Sequence, residues 1–173
     1  MTSNTTYGES ALRSNTTGFD NTALGSSALT NNTSGNFNTA VGSNALQDNT
    51  TGSANTAIGP SALLLNNLGS GNTAIGVNAL ENNTIGAFNT DIGLNALQSN
   101  TIGSSNTAVG TSTNSGNFNA SIILGREATA TASNQFVTGS VTYPAGAVSV
   151  AAAAQTRTWD VIINGVAHKI LLA

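Results

Sequence analysis

The chain has 173 residues, four basic and seven acidic side chains for a net charge of −3, and no cysteine. Charged residues make up 6% of it, against about 25% in ordinary soluble domains. The four cations, Arg13, Arg126, Arg157 and Lys169, are too scattered to hold a nucleic-acid backbone, and neither a disulfide framework nor a thiolate metal site is open to the chain.

The opening residues, Met1-Thr2-Ser3-Asn4-Thr5, offer neither a basic nor an apolar segment, so no signal peptide is expected. No apolar run approaches the ~20 residues of a membrane span, and membrane insertion is not expected either. Asn, Thr, Ser, Ala and Gly dominate, which alone would suit a disordered low-complexity chain. Disorder, however, does not need apolar residues at a fixed phase. Here Asn4-Thr5-Thr6-Tyr7-Gly8 is followed by Asn21-Thr22-Ala23-Leu24-Gly25, and the pattern returns at Asn38, Asn55, Asn72, Asn89 and Asn106, always seventeen positions further on. Each copy brings a threonine (Thr22, Thr39, Thr56, Thr73, Thr90, Thr107) and a glycine (Gly25, Gly42, Gly59, Gly76, Gly93, Gly110). An Ala-Leu pair follows, from Ala11-Leu12 to Ala96-Leu97, and then a turn such as Asn15-Thr16-Thr17-Gly18 or Asn83-Thr84-Ile85-Gly86. Asn66-Asn67-Leu68-Gly69 is the one departing turn.

The unit is too short for a helix pair, and two glycines per unit would each cost a helix about 1 kcal/mol. It parses instead as two short strands and two turns, one coil of an all-β parallel β-roll or β-solenoid. Coils stack at about 4.8 Å, so six steps make a rod of roughly 30 Å. Identical phase places like residues above one another, which predicts an asparagine amide ladder, a threonine ladder beside it, and an aliphatic ladder of Tyr7, Leu24, Val41, Ile58, Ile75, Ile92 and Val109. The aliphatic set and the Ala/Leu set lie on opposite faces; one fills the roll and the other packs against neighbouring chains. Asp91 stands where the other units have Ala, so at that level the face is expected to be wet or paired.

After Gly110 the array is expected to break at a Ser/Thr/Gly loop, residues 111–116, and to continue as a shorter coil, since Gly139 stands only fourteen positions after Gly125. Tyr143-Pro144-Ala145-Gly146 marks a boundary. Beyond it Trp159, Val161 and Ile163 alternate, Asn164-Gly165 follows, and Val166, His168 and Ile170 alternate again, a hairpin signature. The organisation expected is therefore 1–110 seventeen-residue repeats, 111–146 shorter-coil continuation and 147–173 a C-terminal β cap that covers the open sheet edge. The opposite end has no such cap and is expected to dock onto a neighbour.

The Asn-Thr-Ala-aliphatic-Gly-x-x-Ala-Leu-x-x-Asn-Thr-Thr-Gly run resembles the repeats of phage and virus fibre proteins. Residues 125–139, from Gly125-Arg126-Glu127-Ala128 to Phe136-Val137-Thr138-Gly139, are similar to the 14-residue head repeat of trimeric autotransporter adhesins. The ending from Trp159 through Asn164-Gly165 to Lys169-Ile170 is similar to C-terminal pieces of phage tail fibres. The resemblance implies a homotrimeric left-handed β-roll and a structural or attachment fibre on the virion surface, contacting a host glycan or protein at its tip. An autotransporter is expected to bring a secretion signal and a membrane anchor, and without those motifs the virion component is favoured. The alternatives are a head-to-tail structural filament and an ice-binding solenoid that uses the threonine ladder.

No catalytic constellation is expected. Asp20, Asp48, Asp91 and Asp160 do not cluster with Glu9, Glu81 or Glu127 at ligand or acid/base spacing, and no glycine turn carries a phosphate-loop lysine. No cofactor and no metal are expected, and the sequons fall where Asn/Thr repeats produce them by chance. Arg157, Trp159 and His168 are the candidate tip contacts, Trp159 as a cap-core anchor or as a stacking platform for a sugar.

Overall fold

The computed structural model of the chain describes residues 3–140, 157–163 and 166–172. Nine three-residue strands run in sequence order through one parallel sheet: β1 (Thr5–Tyr7), β2 (Thr22–Leu24), β3 (Thr39–Val41), β4 (Thr56–Ile58), β5 (Thr73–Ile75), β6 (Thr90–Ile92), β7 (Thr107–Val109), β8 (Ile122–Leu124) and β9 (Phe136–Thr138). Each strand is the Thr-Ala-aliphatic triplet or its stand-in, and each pairs with its own repeat in the next coil. Strands so short hold only because one β-solenoid turn closes and returns to the same phase. The chain is an all-β solenoid, and most of its coils return to phase after seventeen positions, as Thr22 does opposite Thr39.

From β2 to β8 the middle residue of each triplet points inward and is buried. Ala23, Ala40, Ala57, Ala74 and Ala108 are fully buried, and Ala28-Leu29 and its successors fill the opposite wall of the same narrow core. The aliphatic third residue points outward, from partly buried Leu24 to exposed Ile58, Ile92 and Val109. The Ala/Leu set is thus the filling and the aliphatic column lies outside.

The Ala-Leu segment is not the second strand that the two-strand reading expects. Leu12, Leu29, Leu46, Leu63, Leu80 and Leu97 all lie in the left-handed region, with φ between 45° and 54°. Tight turns succeed one another there, as in Ala28 N–H to Gly25 C=O (3.3 Å) and Asn32 N–H to Leu29 C=O (3.1 Å). A left-handed non-glycine residue costs about 1–2 kcal/mol. Full burial of a leucine side chain returns about 1.5–3 kcal/mol, and each leucine N–H also bonds to the next coil, as Leu29 does to Ala45 C=O at 3.0 Å. Closure therefore outweighs the local preference for a strand.

After Gly110 the coils shorten as expected, but no loop interrupts the sheet. Thr107 pairs with Ile122, a step of 15, and Ile122 with Phe136, a step of 14. Residues 111–116 are the wall of the next coil, where buried Thr113 occupies the alanine column and buried Ser115 the turn-asparagine column. Two residues are lost between Asn114 and Ser115, where the earlier coils have Gln98 and Ser99 between Leu97 and Asn100, so the turn shortens and the strand keeps its phase. In the C-terminal part, β10 (Arg157–Ile163) and β11 (Val166–Leu172) form an antiparallel pair with Trp159 opposite Ile170. The expected Asn164-Gly165 turn and all of residues 141–156, with the Tyr143–Gly146 boundary, fall outside the described residues, as does any covering of the solenoid end by the hairpin.

Candidate functional site

The polar interior consists of two asparagine ladders. In the first, the asparagines before the triplets, half-buried at Asn4 and buried from Asn21 on, each accept at Oδ1 the backbone N–H of the next. Asn38 N–H reaches Asn21 Oδ1 at 2.9 Å, and the series runs from Asn4 through Asn21, Asn38, Asn55, Asn72 and Asn89 to Asn106. Its Nδ2 donates across the coil to a glycine carbonyl, as Asn21 does to Gly35 at 2.9 Å.

A second ladder, not anticipated as one, stands at the turns: Asn32 Nδ2 donates to Asn15 Oδ1, and the chain of bonds continues through Asn49, Asn66, Asn83 and Asn100. Each member also donates to the glycine carbonyl three residues on, so Gly35, Gly52, Gly69, Gly86 and Gly103 each accept from both ladders. Asn66 keeps this role, so the departing turn differs only at Asn67 and Leu68. Ser121 takes the first ladder's next position, while Ser115 Oγ donates to Asn100 Oδ1 at 2.9 Å.

Glycine is required in two ways. Gly25, Gly42, Gly59, Gly76, Gly93 and Gly110 turn the corner after the strand with φ of 132° to 144°. Gly18 and its counterparts have ordinary torsions, but a Cβ on Gly18 would collide with the Gly35 carbonyl and the Asn15 amide.

The threonine column from Thr22 to Thr107 points outward, and among the described residues no side-chain hydrogen bond joins its members. The bonding threonines stand in the turns: Thr33 Oγ1 donates to Thr50 C=O at 2.9 Å and Thr84 Oγ1 to Thr101 C=O at 3.0 Å.

The outer surface changes along the rod. The position two after the aliphatic column reads Glu9, Ser26, Ser43 and then Pro60, Val77, Leu94. The turn position reads Thr17, Ser34, Thr51 and then Leu68, Ile85, Ile102, the last three more than half exposed. Both columns switch from polar to apolar at the same level. They lie about half a coil apart in sequence, as Pro60 and Leu68 do, so they occupy different sides.

Asp91 departs from the expected wet or paired face. It is fully buried between Ala74 and Ala108, and neither carboxylate oxygen has a hydrogen-bond partner. Burial pushes its carboxyl well above the ordinary aspartate range. The periodic phase commits this position to the core whatever residue fills it.

Of the candidate tip residues, Arg157 stands opposite Leu172, Trp159 opposite Ile170 and His168 opposite Val161; their side chains are outside the described part. Among the described residues no group of three or more His, Asp or Glu could hold a metal ion, and no helix is long and apolar enough to cross a membrane. The chain matches no protein-family model, no curated protein and no solved structure.

Proposed function

We propose that the chain is a structural and attachment fibre subunit of a virion, a homotrimer of parallel rods that holds a host-binding tip away from the particle. The observation that carries the assembly is the pair of apolar columns that begin at one level on different sides of the coil. Parallel rods closing a ring of three or more meet through two different surfaces, whereas a two-fold pair needs only one self-complementary surface. Uncharged, half-exposed aliphatic stripes repeating at the rod's own spacing suit another copy of the same rod. The fibre role and the virion location rest on the likeness of the repeats to phage and virus fibre proteins. The asparagine ladders fit that role, because the repeat's buried amides bond from coil to coil and serve length rather than chemistry.

Native mass spectrometry of the full chain tests the assembly. The expected species is three times the 17.2 kDa chain, and Ile85→Asp, which charges an exposed stripe, is expected to shift it to monomer without unfolding the rod. A wild-type monomer overturns the trimer, and an open-ended mass series replaces it with the head-to-tail filament. Location is read by probing purified particles with an antibody to the rod; particles without it remove the virion assignment.

A further inference from the structure

Among the described residues Asp91 is the one acidic side chain buried in the solenoid core, and it sits in a column whose other buried members are apolar: Ala23, Ala40, Ala57, Ala74, Ala108 and Ile123. The neighbouring strands β5 and β7 present Ala74 and Ala108 to it, and neither strand has a titratable residue. The buried side chains that complete the core at these levels, Ala79, Leu80, Ala96 and Leu97, are apolar, and the buried Thr113 hydroxyl faces the Leu97 N–H at 3.4 Å. Glu81, the other acid in this stretch, lies on the outer wall, where Gln98 Nε2 donates to it at 2.5 Å. Among the described residues no cation balances Asp91 and no donor solvates it, so an ionised carboxylate here is a buried charge without compensation.

We infer that Asp91 makes the sixth strand a proton-controlled weak rung: with the carboxyl protonated the coil is closed, and loss of the proton opens the β5–β6–β7 register while the other rungs stay shut. Locality follows from the architecture, because a stacked repeat answers mainly to its nearest neighbours. The sign follows from linkage. A carboxyl whose folded-state pKa is raised stabilises fully below the unfolded value and loses that stabilisation as pH rises through the folded one. Over that window, starting near the ordinary aspartate value of about 3.9, each pH unit multiplies the opening equilibrium by about ten for one proton.

Native-state hydrogen exchange reads this directly. Thr90 N–H bonds to Asn106 C=O and Gly93 N–H to Ile75 C=O; their counterparts three coils away are Thr39 N–H to Asn55 C=O and Gly42 N–H to Leu24 C=O. The ratio of protection at Thr90 and Gly93 to that at Thr39 and Gly42 cancels the intrinsic pH dependence of exchange. In the wild-type protein this ratio is expected to fall about tenfold per pH unit over the window. In Asp91→Asn and Asp91→Ala it is expected to stay flat. The alanine variant restores the residue used at five other levels and safeguards the test if the amide fails to fold. A wild-type ratio that stays flat from pH 4 to pH 8, or variants that keep the wild-type slope, overturns the inference.

Discussion

At the scale of residues, the solenoid separates two polar side chains that stand next to each other in every repeat. Asn55 is buried; its Oδ1 takes the Asn72 N–H at 3.0 Å, and its Nδ2 donates to Gly69 C=O at 2.9 Å and to Asn38 Oδ1 at 3.1 Å. Thr56 beside it faces outward, with no side-chain hydrogen bond among the described residues. Asn55→Ala orphans the buried Asn72 N–H and removes three bonds. Since each orphaned buried group costs about 1–3 kcal/mol, a loss of about 2–4 kcal/mol is expected. Thr56→Val removes an unbonded outward hydroxyl and is expected to stay within about 0.5 kcal/mol of wild type. Urea midpoints of the two variants measure the contrast, and equal losses would show that the threonine column carries structural bonds after all.

At the scale of elements, the strand triplets and the first asparagine ladder were legible because Asn and Thr return at every seventeenth position through Asn106 and local preference agrees with the fold. The Ala-Leu wall was not, because alternating small and branched residues read as a strand while closure forces the leucine into a left-handed turn. The shorter coil after Gly110 was expected, but the role of residues 111–116 as its wall was hidden for another reason. Thr113 and Ser115 take over the alanine and asparagine positions with small polar groups that keep the contacts and erase the pattern. Asp91 misled because a lone carboxylate argues locally for water or a partner, and the phase overrides that argument. Corner glycines are the element's least replaceable part. On Gly59, φ is 132° and an added Cβ would lie 2.5 Å from the Gly76 carbonyl oxygen. Gly59→Ala therefore combines a strained torsion with forced separation of two coils, and a loss of about 3 kcal/mol or more in urea unfolding is expected.

At the scale of the whole molecule, what is kept from coil to coil is phase, and length is secondary. The last two coils are shorter than the rest, yet Thr107 still pairs in parallel with Ile122 and Ile122 with Phe136, because the lost residues come out of turns. Removing one complete period should then be tolerated. Deleting residues 39–55 joins Asn38 to Thr56, restores Asn-Thr-Ala-aliphatic-Gly across the junction and returns both ladders to register. The shortened rod is expected to retain its β-sheet circular dichroism per residue and to unfold cooperatively, with a urea slope lower by about one coil's share of the buried surface. Deleting Ala57 alone takes out far less of the chain and is expected to do more damage. Side chains alternate along a strand, so a one-residue loss turns Ile58 into the alanine column and carries Gly59 off its corner. If the single deletion proves milder than loss of the whole period, contact number and not phase governs the rod, and the ladder account of its stability fails.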